Sequence, residues 1–154
     1  MITTTAQHEM VFTRLINAKR ERVFEAWTEP EQVGQWWGPV GFTTTTHEFE
    51  AKPGGIWRFI MHGPDGRDYP NKVEFIEVKK PELLIYKHCG DDISEPVNFI
   101  VTVTFEDRDG KTNLTMKMVF ESGNEKERII REYGADEGAK QNLDKLEEFL
   151  KSNV

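Results

Sequence analysis

The segment QWWGPVGFTTTTHEFEAKPGGIWRFIMHGPDG, residues 35–66, contains the patterns that decide the fold of this chain. Residues 42–50 and 56–62 each alternate between two faces, which predicts two β-strands. The sequence KPGG at residues 52–55 supplies the glycine and proline that a tight turn requires, and GPDG at residues 63–66 predicts another turn. Three of the four tryptophans also lie here. We therefore predict that this segment forms the front wall and mouth of an apolar cavity.

The residues before this segment predict a strand followed by two short helices. Residues 8–17 alternate in hydrophobicity, as a half-buried strand does. The next twenty residues change to helical spacing. Thr28, which is followed by Pro30, predicts the N-cap and first turn of a second short helix that ends near Trp36.

The residues after this segment predict more antiparallel strands. Residues 68–79 and 83–89 have strand patterns and are separated by a proline-containing turn. Residues 97–120 alternate on both sides of the turn sequence RDGK at residues 108–111, which predicts a β-hairpin. The predicted sheet therefore contains at least four strands in addition to those at residues 42–50 and 56–62.

The last segment, residues 124–152, predicts one long amphipathic helix. Its apolar stripe recurs at helical spacing and consists of Ala135, Ala139, Leu143, Leu146 and Leu150. Gly134 and Gly138 interrupt this pattern, and each is expected to cost about 1 kcal/mol relative to alanine. We interpret them as positions where the helix closely approaches the sheet or a molecule held beneath it.

This order of elements predicts an α+β fold in a single domain, residues 1–154. An antiparallel sheet of about six to seven strands has to bury one face, and curling around the C-terminal helix accomplishes that. The two short helices after the first strand then close one end. A curved sheet cannot meet a straight helix along its whole length, so a cavity is expected between them.

Four motifs of this chain occur in the same order in one known protein family. They are WWGP-x-GFT at residues 36–43, KPGG at 52–55, M-x-GPDG at 61–66 and LDKLEEFL at 143–150. With them the chain resembles small bacterial proteins related to the C-terminal domain of the heat-shock-protein-ninety ATPase activator, which belong to the START-like (SRPBCC) superfamily. The resemblance implies the helix-grip fold of the birch pollen allergen, a curved antiparallel sheet around a long C-terminal helix.

Two positions depart from the pattern of that family. Its members often carry EGW in the last helix, whereas Ala139 follows Glu137-Gly138 here. A methyl group in place of an indole predicts a larger cavity or a different ligand. Val73 stands where many relatives have glycine, which affects the local shape of that wall.

The candidate ligand-binding residues are those that these patterns place on the concave face, in the mouth or on the last helix. Tyr86 and His88 are two residues apart on one strand, so they share a face and could form hydrogen bonds with a ligand. Trp36 and Trp37 are adjacent, so we expect one to pack in the core and the other to line or gate the mouth. The full set is Trp36, Trp37, Phe42, Trp57, Phe59, Met61, Tyr69, Tyr86, His88, Phe99, Met116, Met118, Tyr133, Gly138 and Ala139.

Simpler interpretations of these residues remain open. Aromatic residues at strand spacing are often ordinary core, and His88 could face outward or be a hydrogen-bonded core histidine. His62 and His88 could meet across strands, but two histidines without a carboxylate pattern are weak evidence for a metal. Cys89 points away from His88, so the two do not form a catalytic dyad. We expect no metal and no cofactor.

Charge and composition exclude several kinds of partner. The net charge is −7 and the basic residues are scattered, which disfavours nucleic-acid binding. No apolar run is long enough to span a membrane. The first residues, MITTTAQHEM, lack the order of a signal peptide, so a cytoplasmic location is expected. The chain could be a monomer, or a homodimer formed through an exposed edge strand.

Three hypotheses on function follow. The first is a protein that holds an apolar or aromatic small molecule, lipid-like or polyketide-like, in the cavity. The second is an enzyme of the cyclase, aromatase or hydrolase type, in which Tyr86 and His88 perform acid–base chemistry. The third, implied by the resemblance, is a regulator of a chaperone ATPase. Convergent polar groups with shifted pKa values favour the enzyme, and an exposed contiguous patch favours the regulator.

Overall fold

One antiparallel sheet and four helices form the structure, a computed structural model that describes residues 2–3, 8–90 and 98–152. Of residues 2, 3, 90, 98, 132, 133 and 135, only the backbone is described. The strands of these ranges are β1 (Ile2–Thr3), β2 (Glu9–Ile16), β3 (Thr43–Phe49), β4 (Ile56–His62), β5 (Asp68–Lys79), β6 (Leu83–Gly90), β7 (Asn98–Arg108) and β8 (Lys111–Phe120). The helices are α1 (Arg20–Thr28), α2 (Pro30–Trp36), α3 (Gly123–Tyr133) and α4 (Ala135–Ser152).

The strand order β1-β2-β8-β7-β6-β5-β4-β3 confirms the predicted α+β helix-grip fold. All neighbouring strands are antiparallel, and α4 lies against the concave side. The described sheet has eight strands, where about six to seven were predicted. The additional strand is β1, whose two residues pair with Phe12 and Val11 of β2 and are too few to produce a periodic sequence pattern.

The β7–β8 hairpin forms where the sequence predicts it. Arg108 pairs with Lys111, so the loop consists of two residues, Asp109 and Gly110. Both have positive φ angles, 54° and 83°. A two-residue loop with positive φ at both positions matches the twist of the flanking strands, and Asp-Gly adopts it readily.

The C-terminal segment is two helices, and the prediction of one continuous helix is wrong. Gly134 ends α3 in the left-handed region, with φ 62° and ψ 38°, and its N–H donates to the carbonyl oxygen of Ile130. Glycine reaches this conformation without steric penalty, which makes it the usual residue beyond a helix end. Apart from its neighbours in the chain, no heavy atom of the described residues lies within 4 Å of where a Cβ of Gly134 would be, so this glycine ends a helix and does not mark a close approach.

The N-cap of α2 also differs from the prediction. Glu29, in extended conformation, precedes the helix, and Pro30 occupies its first turn. Thr28 belongs to α1 instead, where its hydroxyl donates to the carbonyl oxygen of Phe24. Only one residue separates the two helices, so Thr28 cannot cap the second helix while it completes the last turn of the first.

Helix α4 covers the sheet with its apolar stripe. Ala139, Leu143, Leu146 and Leu150 of that stripe are buried. On the polar side, Arg14 of β2 forms an ion pair with Asp144 at 2.6 Å. Burial of the stripe against the sheet and helices fixes the position of α4, and the ion pair links its polar side to β2.

Candidate functional site

The concave face of the sheet divides into a closed part and an open end. Strand alternation turns alternate residues of β4, β5, β6 and β7 toward the helices, and in the middle of the strands these residues are buried. Toward the β4–β5 turn, most of the inward-facing side chains are only partly buried, although Asn71 among them is buried. We call this region the open end and define it by Met61, Tyr69, Asn71, His88 and Phe99.

A small interior space lies in the closed part. Its lining consists of Trp27, Trp37, Trp57, Val73, Phe75 and Tyr86. The centre of a water-sized sphere fits nowhere within it. The space is therefore dry, and a molecule can occupy it only if side chains move.

The indole N–H of Trp27 is a buried donor without a hydrogen-bond partner. Trp27 is 2% exposed, and its Nε1 is the one buried side-chain polar atom of the described residues that lacks a partner. By contrast, Nε1 of Trp36 donates to the carbonyl oxygen of Ala26 at 3.0 Å, and Nε1 of Trp57 donates to Oγ1 of Thr46 at 3.1 Å. An unpaired buried donor costs about 1–3 kcal/mol, so such groups are rare and require an explanation.

Tyr86 faces the same space as Trp27. Its side chain is 3% exposed, and burial raises the pKa of its hydroxyl well above the usual value. An interaction of the Trp27 side chain with the phenolic oxygen opposes that pKa shift more weakly. Tyr86 is therefore uncharged near neutral pH and can donate a hydrogen bond.

Trp37 fills the centre of an aromatic cluster. Five rings surround its indole, with centroid separations of 4.9 Å to Trp57, 5.4 Å to Trp36, 6.2 Å to Phe59, and 6.4 Å to both Trp27 and Tyr86. Trp37 follows α2 and is 6% exposed, and Trp36 is 1% exposed. Trp36 packs against α1, as expected of one of the pair, and Trp37 is enclosed and lines the interior space, so neither gates the mouth.

His88 is held in one tautomer by Asn71. The amide nitrogen of Asn71 donates to the carbonyl oxygen of Tyr69 at 2.9 Å, which leaves its Oδ1 to face Nε2 of His88, also at 2.9 Å. Nε2 therefore carries the proton and Nδ1 is an acceptor. The ring stacks on Phe99 with a centroid separation of 4.9 Å. Burial lowers the pKa of His88 from 6.5 to about 4, so it is neutral at pH 7.

Although protein atoms surround His88 densely, part of its side chain remains accessible. A residue on the wall of a cleft has this combination of dense surroundings and residual exposure. Phe99, Met61 and Tyr69 are also partly exposed on the inward face. The open end therefore presents an aromatic and thioether surface with one neutral imidazole on it.

The loop of residues 37–42, which carries Trp37, is fastened to α4 by three side chains. Asn142 Oδ1 accepts from the N–H of Gly38 at 2.9 Å, and Gln141 Oε1 accepts from the N–H of Val40 at 3.0 Å. The ammonium of Lys145 lies 3.1–3.4 Å from three carbonyl oxygens of the loop. Partial burial lowers the pKa of Lys145. The loop and α4 therefore move as one unit unless these bonds break.

The remaining predicted site residues have different positions. Phe42 packs against Tyr69 at the open end, with a centroid separation of 5.7 Å. Met116 and Met118 are buried in β8, and Ala139 is 8% exposed on α4. A Cβ on Gly138 would lie 3.8 Å from Cγ of Pro39. The side chain of Tyr133 lies outside the described residues.

His62 and His88 do not meet. Nδ1 of His62 lies 2.7 Å from Oδ1 of Asp68, and its Nε2 lies 2.7 Å from Oγ1 of Thr45, on the opposite face of the sheet from His88. Within residues 2–3, 8–90 and 98–152, no three His, Cys, Asp or Glu side chains cluster closely enough to hold a metal. Cys89 is a free, partly buried thiol.

Sequence reasoning missed two residues of the site. Asn71 is the polar member of the inward-facing set Tyr69, Asn71, Val73 and Phe75, so the alternation of β5 contained the signal for it. Trp27 could not be recognised, because nothing in the sequence shows which of several buried indoles lacks an acceptor. Val73, one of the departures from the family pattern, is 1% exposed and lines the interior space.

These features define a START-like domain of the helix-grip type. A family model described as "Activator of Hsp90 ATPase homolog 1-like protein" matches residues 17–151. The chain belongs to this family, and the resemblance that the motifs indicated is confirmed.

Solved structures have the same fold at low sequence identity. A protein of Arthrobacter aurescens has a TM-score of 0.90 at 24% identity, with 99% of this chain and 91% of that chain covered. A protein of Mycobacterium smegmatis has a TM-score of 0.86 at 23% identity over 100% of both chains. A protein of Rhodobacter sphaeroides also has a TM-score of 0.86, at 23% identity over 100% of this chain and 99% of that one.

No curated protein matches the sequence. Among the helices that the structure describes, none is both long and apolar enough to cross a bilayer.

Proposed function

We propose that this protein is a cytoplasmic binding protein that holds an apolar or aromatic small molecule between the sheet and the C-terminal helices. One observation supports this most directly: the concave face is apolar, yet it carries a neutral histidine and an indole N–H that has no partner. Small-molecule sites typically combine an apolar lining with a few placed polar groups. A protein core that served packing alone would be expected to pair the indole N–H of Trp27.

In this proposal the ligand enters the protein at the open end. Met61, Tyr69, His88 and Phe99 face inward and keep part of their surface accessible. A lipid-like or polyketide-like molecule would contact these side chains first. It would reach the interior space only as the rings around Trp37 rearranged.

Tyr86 and His88 give less support to the enzyme hypothesis. Burial moves the pKa of Tyr86 upward and the pKa of His88 down to about 4. Both shifts move away from neutral pH, whereas a general acid or base works best with a pKa near the operating pH. The two side chains therefore suit hydrogen bonding to a ligand better than proton transfer.

The name of the family suggests the third hypothesis, regulation of a chaperone ATPase. Among the residues whose side chains the structure describes, the exposed large apolar ones are Leu15, Val40, Ile76 and Ile100, which belong to β2, the 37–42 loop, β5 and β7. Their distribution over four elements gives less support to a protein-docking surface than the inward-facing groups give to a ligand site.

The proposal can be tested by native mass spectrometry of the protein purified from its own host, followed by denaturing extraction. A near-stoichiometric apolar molecule is the expected result. Ala139→Trp, which restores the bulky residue of the family pattern on the buried stripe of α4, should reduce its retention. Lys151→Trp, on an exposed part of the same helix, is the matched control and should retain it. An empty protein that also binds nothing in a broad lipid and aromatic screen would refute the proposal.

A further inference from the structure

We propose that Thr45 is an acyl-accepting site, at which His62 and Asp68 activate the threonine hydroxyl toward small esters that have a good leaving group. We call these three residues the convex triad, because they lie on the face of the sheet that points away from α4. The concave face and its apolar groups take no part in this chemistry, so the inference is independent of the proposed function.

Strand pairing brings the three side chains together. His62 is the last residue of β4 and lies directly opposite Asp68, the first residue of β5. On its other side His62 is paired with Thr43, which places Thr45 at the diagonal position of β3. Diagonal neighbours on one face of a sheet are within reach of a ring-containing side chain. The pairing of three adjacent strands therefore fixes the order Thr45, His62, Asp68.

The hydrogen bonds of the convex triad have the polarity that nucleophilic catalysis requires. Nδ1 of His62 lies 2.7 Å from Oδ1 of Asp68, and Nε2 lies 2.7 Å from Oγ1 of Thr45. A carboxylate only accepts hydrogen bonds, so Nδ1 carries the proton of the neutral imidazole and Nε2 accepts from the hydroxyl. A hydroxyl on Nε2 and a carboxylate on Nδ1 is the arrangement by which hydrolases activate an alcohol, and it is recognised by geometry and not by sequence position.

The reaction transfers an acyl group without any change of oxidation state. Oγ1 of Thr45 forms a bond to the carbonyl carbon of the ester, while the hydroxyl proton passes to Nε2 of His62. The bond from this carbon to the leaving oxygen then breaks, and the leaving oxygen keeps the electron pair and takes the proton back from Nε2. The products are an ester of Thr45 and the free alcohol.

The position of β3 supplies a donor for the oxyanion of the intermediate. This strand is at the edge of the sheet that the described residues form, so alternate backbone N–H groups along it point away from the sheet. Thr45 or one of its two neighbours in the chain therefore presents an N–H next to the hydroxyl. A backbone N–H in this position stabilises the negative charge that develops on the carbonyl oxygen.

The exposure of the convex triad determines the class of substrate. The side chains of His62 and Asp68 are 37% and 59% exposed, and Thr45 is exposed as well. Sites that select a molecule by its shape are concave and enclose most of it. On an open surface the reactivity of the ester decides instead, so we expect small acyl groups with an acidic leaving alcohol, as in aryl acetates.

The probe for this site is p-nitrophenyl acetate. After incubation with the wild-type protein, peptide mapping by mass spectrometry locates each acetyl group. We expect an acetyl ester on Thr45 that hydroxylamine removes, whereas acetyl amides on lysines resist this treatment. Thr45→Val should lose the ester and Thr45→Ser should keep it. Thr43→Val, at an exposed position on the same face of β3, is the matched control and should leave acetylation of Thr45 unchanged.

Variants of the other two residues test their separate roles. His62→Gln should slow acetylation at Thr45 about a hundredfold, as loss of a general base predicts, and should abolish the solvent deuterium isotope effect of the wild-type reaction. Asp68 acts as a positioning residue. Asp68→Asn should therefore also slow the reaction, and nitrogen NMR of His62 should show that the proton is no longer confined to Nδ1. Urea unfolding verifies that each variant is folded.

Two results would overturn the inference. One is acetylation of lysines while Thr45 remains unmodified, which would show that its hydroxyl is not activated. The other is acetylation of Thr45 at the same rate in His62→Gln and in the wild type, which would show that the imidazole does not act as the base.

Discussion

Acidification should destabilise this protein through His88, and the size of the effect follows from the structure. In the unfolded chain the histidine has its ordinary pKa of 6.5, whereas burial lowers the pKa to about 4 in the folded protein. Between these two values the unfolded state binds a proton that the folded state does not bind. The free energy of unfolding therefore falls as the pH decreases from about 6.5 to 4, and His88 contributes no pH dependence above this window.

The slope of this effect is about 1.4 kcal/mol per pH unit for one proton. Over the whole window, from 6.5 to about 4, the loss reaches about 3 kcal/mol. Small domains are stable by only about 5–15 kcal/mol, so a loss of this size should be large enough to measure.

The perturbation that isolates His88 is substitution by glutamine. His88→Gln keeps an amide N–H that can donate to Oδ1 of Asn71, but it removes the titrating group. Urea unfolding of both proteins at pH 7.5, 6.5, 5.5 and 5.0 gives the difference in unfolding free energy at each pH. From pH 6.5 to 5.0, wild type should lose about 2 kcal/mol more than the variant does.

His47→Gln, at an exposed position of β3, is the matched control for this experiment and should keep the pH slope of the wild type. If His88→Gln has the same slope as the wild type below pH 6.5, His88 is not held neutral in the folded protein. The reasoning from its burial would then fail.

Three further predictions concern the elements around the site. Trp37→Ala should lower the unfolding free energy in urea by about 3–5 kcal/mol, because it empties the centre of the aromatic cluster; a loss below about 1 kcal/mol would contradict this packing. Gly134→Ala should destabilise the protein by about 1–2 kcal/mol in the same assay, because the φ angle of Gly134 is 62°. Gly138→Ala, within α4, should instead stabilise the protein by up to about 1 kcal/mol. Effects of equal sign in the two variants would be inconsistent with the helix break at Gly134. Lys145→Met should accelerate amide hydrogen exchange in the 37–42 loop, because it removes the hydrogen bonds from the ammonium to the carbonyl oxygens of the loop. Lys151→Met, at an exposed position of α4, should not change the exchange rate. Equal exchange rates in the two variants would show that the Lys145 ammonium does not stabilise the loop.

Much of the fold could be predicted because it depends on local patterns. The alternation of β7 and β8 and the Asp109-Gly110 turn specify a hairpin that is independent of the rest of the chain. The helix break at Gly134 was missed because apolar periodicity continues across it. A glycine within an amphipathic pattern either continues the helix or ends it in the left-handed region, and periodicity does not distinguish these outcomes.

The candidate site was only partly predictable because its chemistry depends on contacts between distant residues. The sequence places Tyr86 and His88 on one face of one strand. The tautomer of His88, however, depends on Asn71, which lies 17 positions away in sequence and on the adjacent strand. Asn71 in turn is oriented by the carbonyl oxygen of Tyr69. Nδ1 of His88 is therefore fixed as a hydrogen-bond acceptor only when β5 and β6 are paired in this register.

The hydrogen bonding of the indole N–H groups depends on tertiary contacts in the same way. In the sequence the tryptophans are equivalent hydrophobic residues, and each carries the same N–H group. Folding gives Trp36 the carbonyl oxygen of Ala26 and gives Trp57 the hydroxyl of Thr46, but it gives Trp27 no acceptor. Because hydrogen bonding alone distinguishes these buried donors, the sequence does not reveal which indole N–H lacks an acceptor until the strands and helices have packed together.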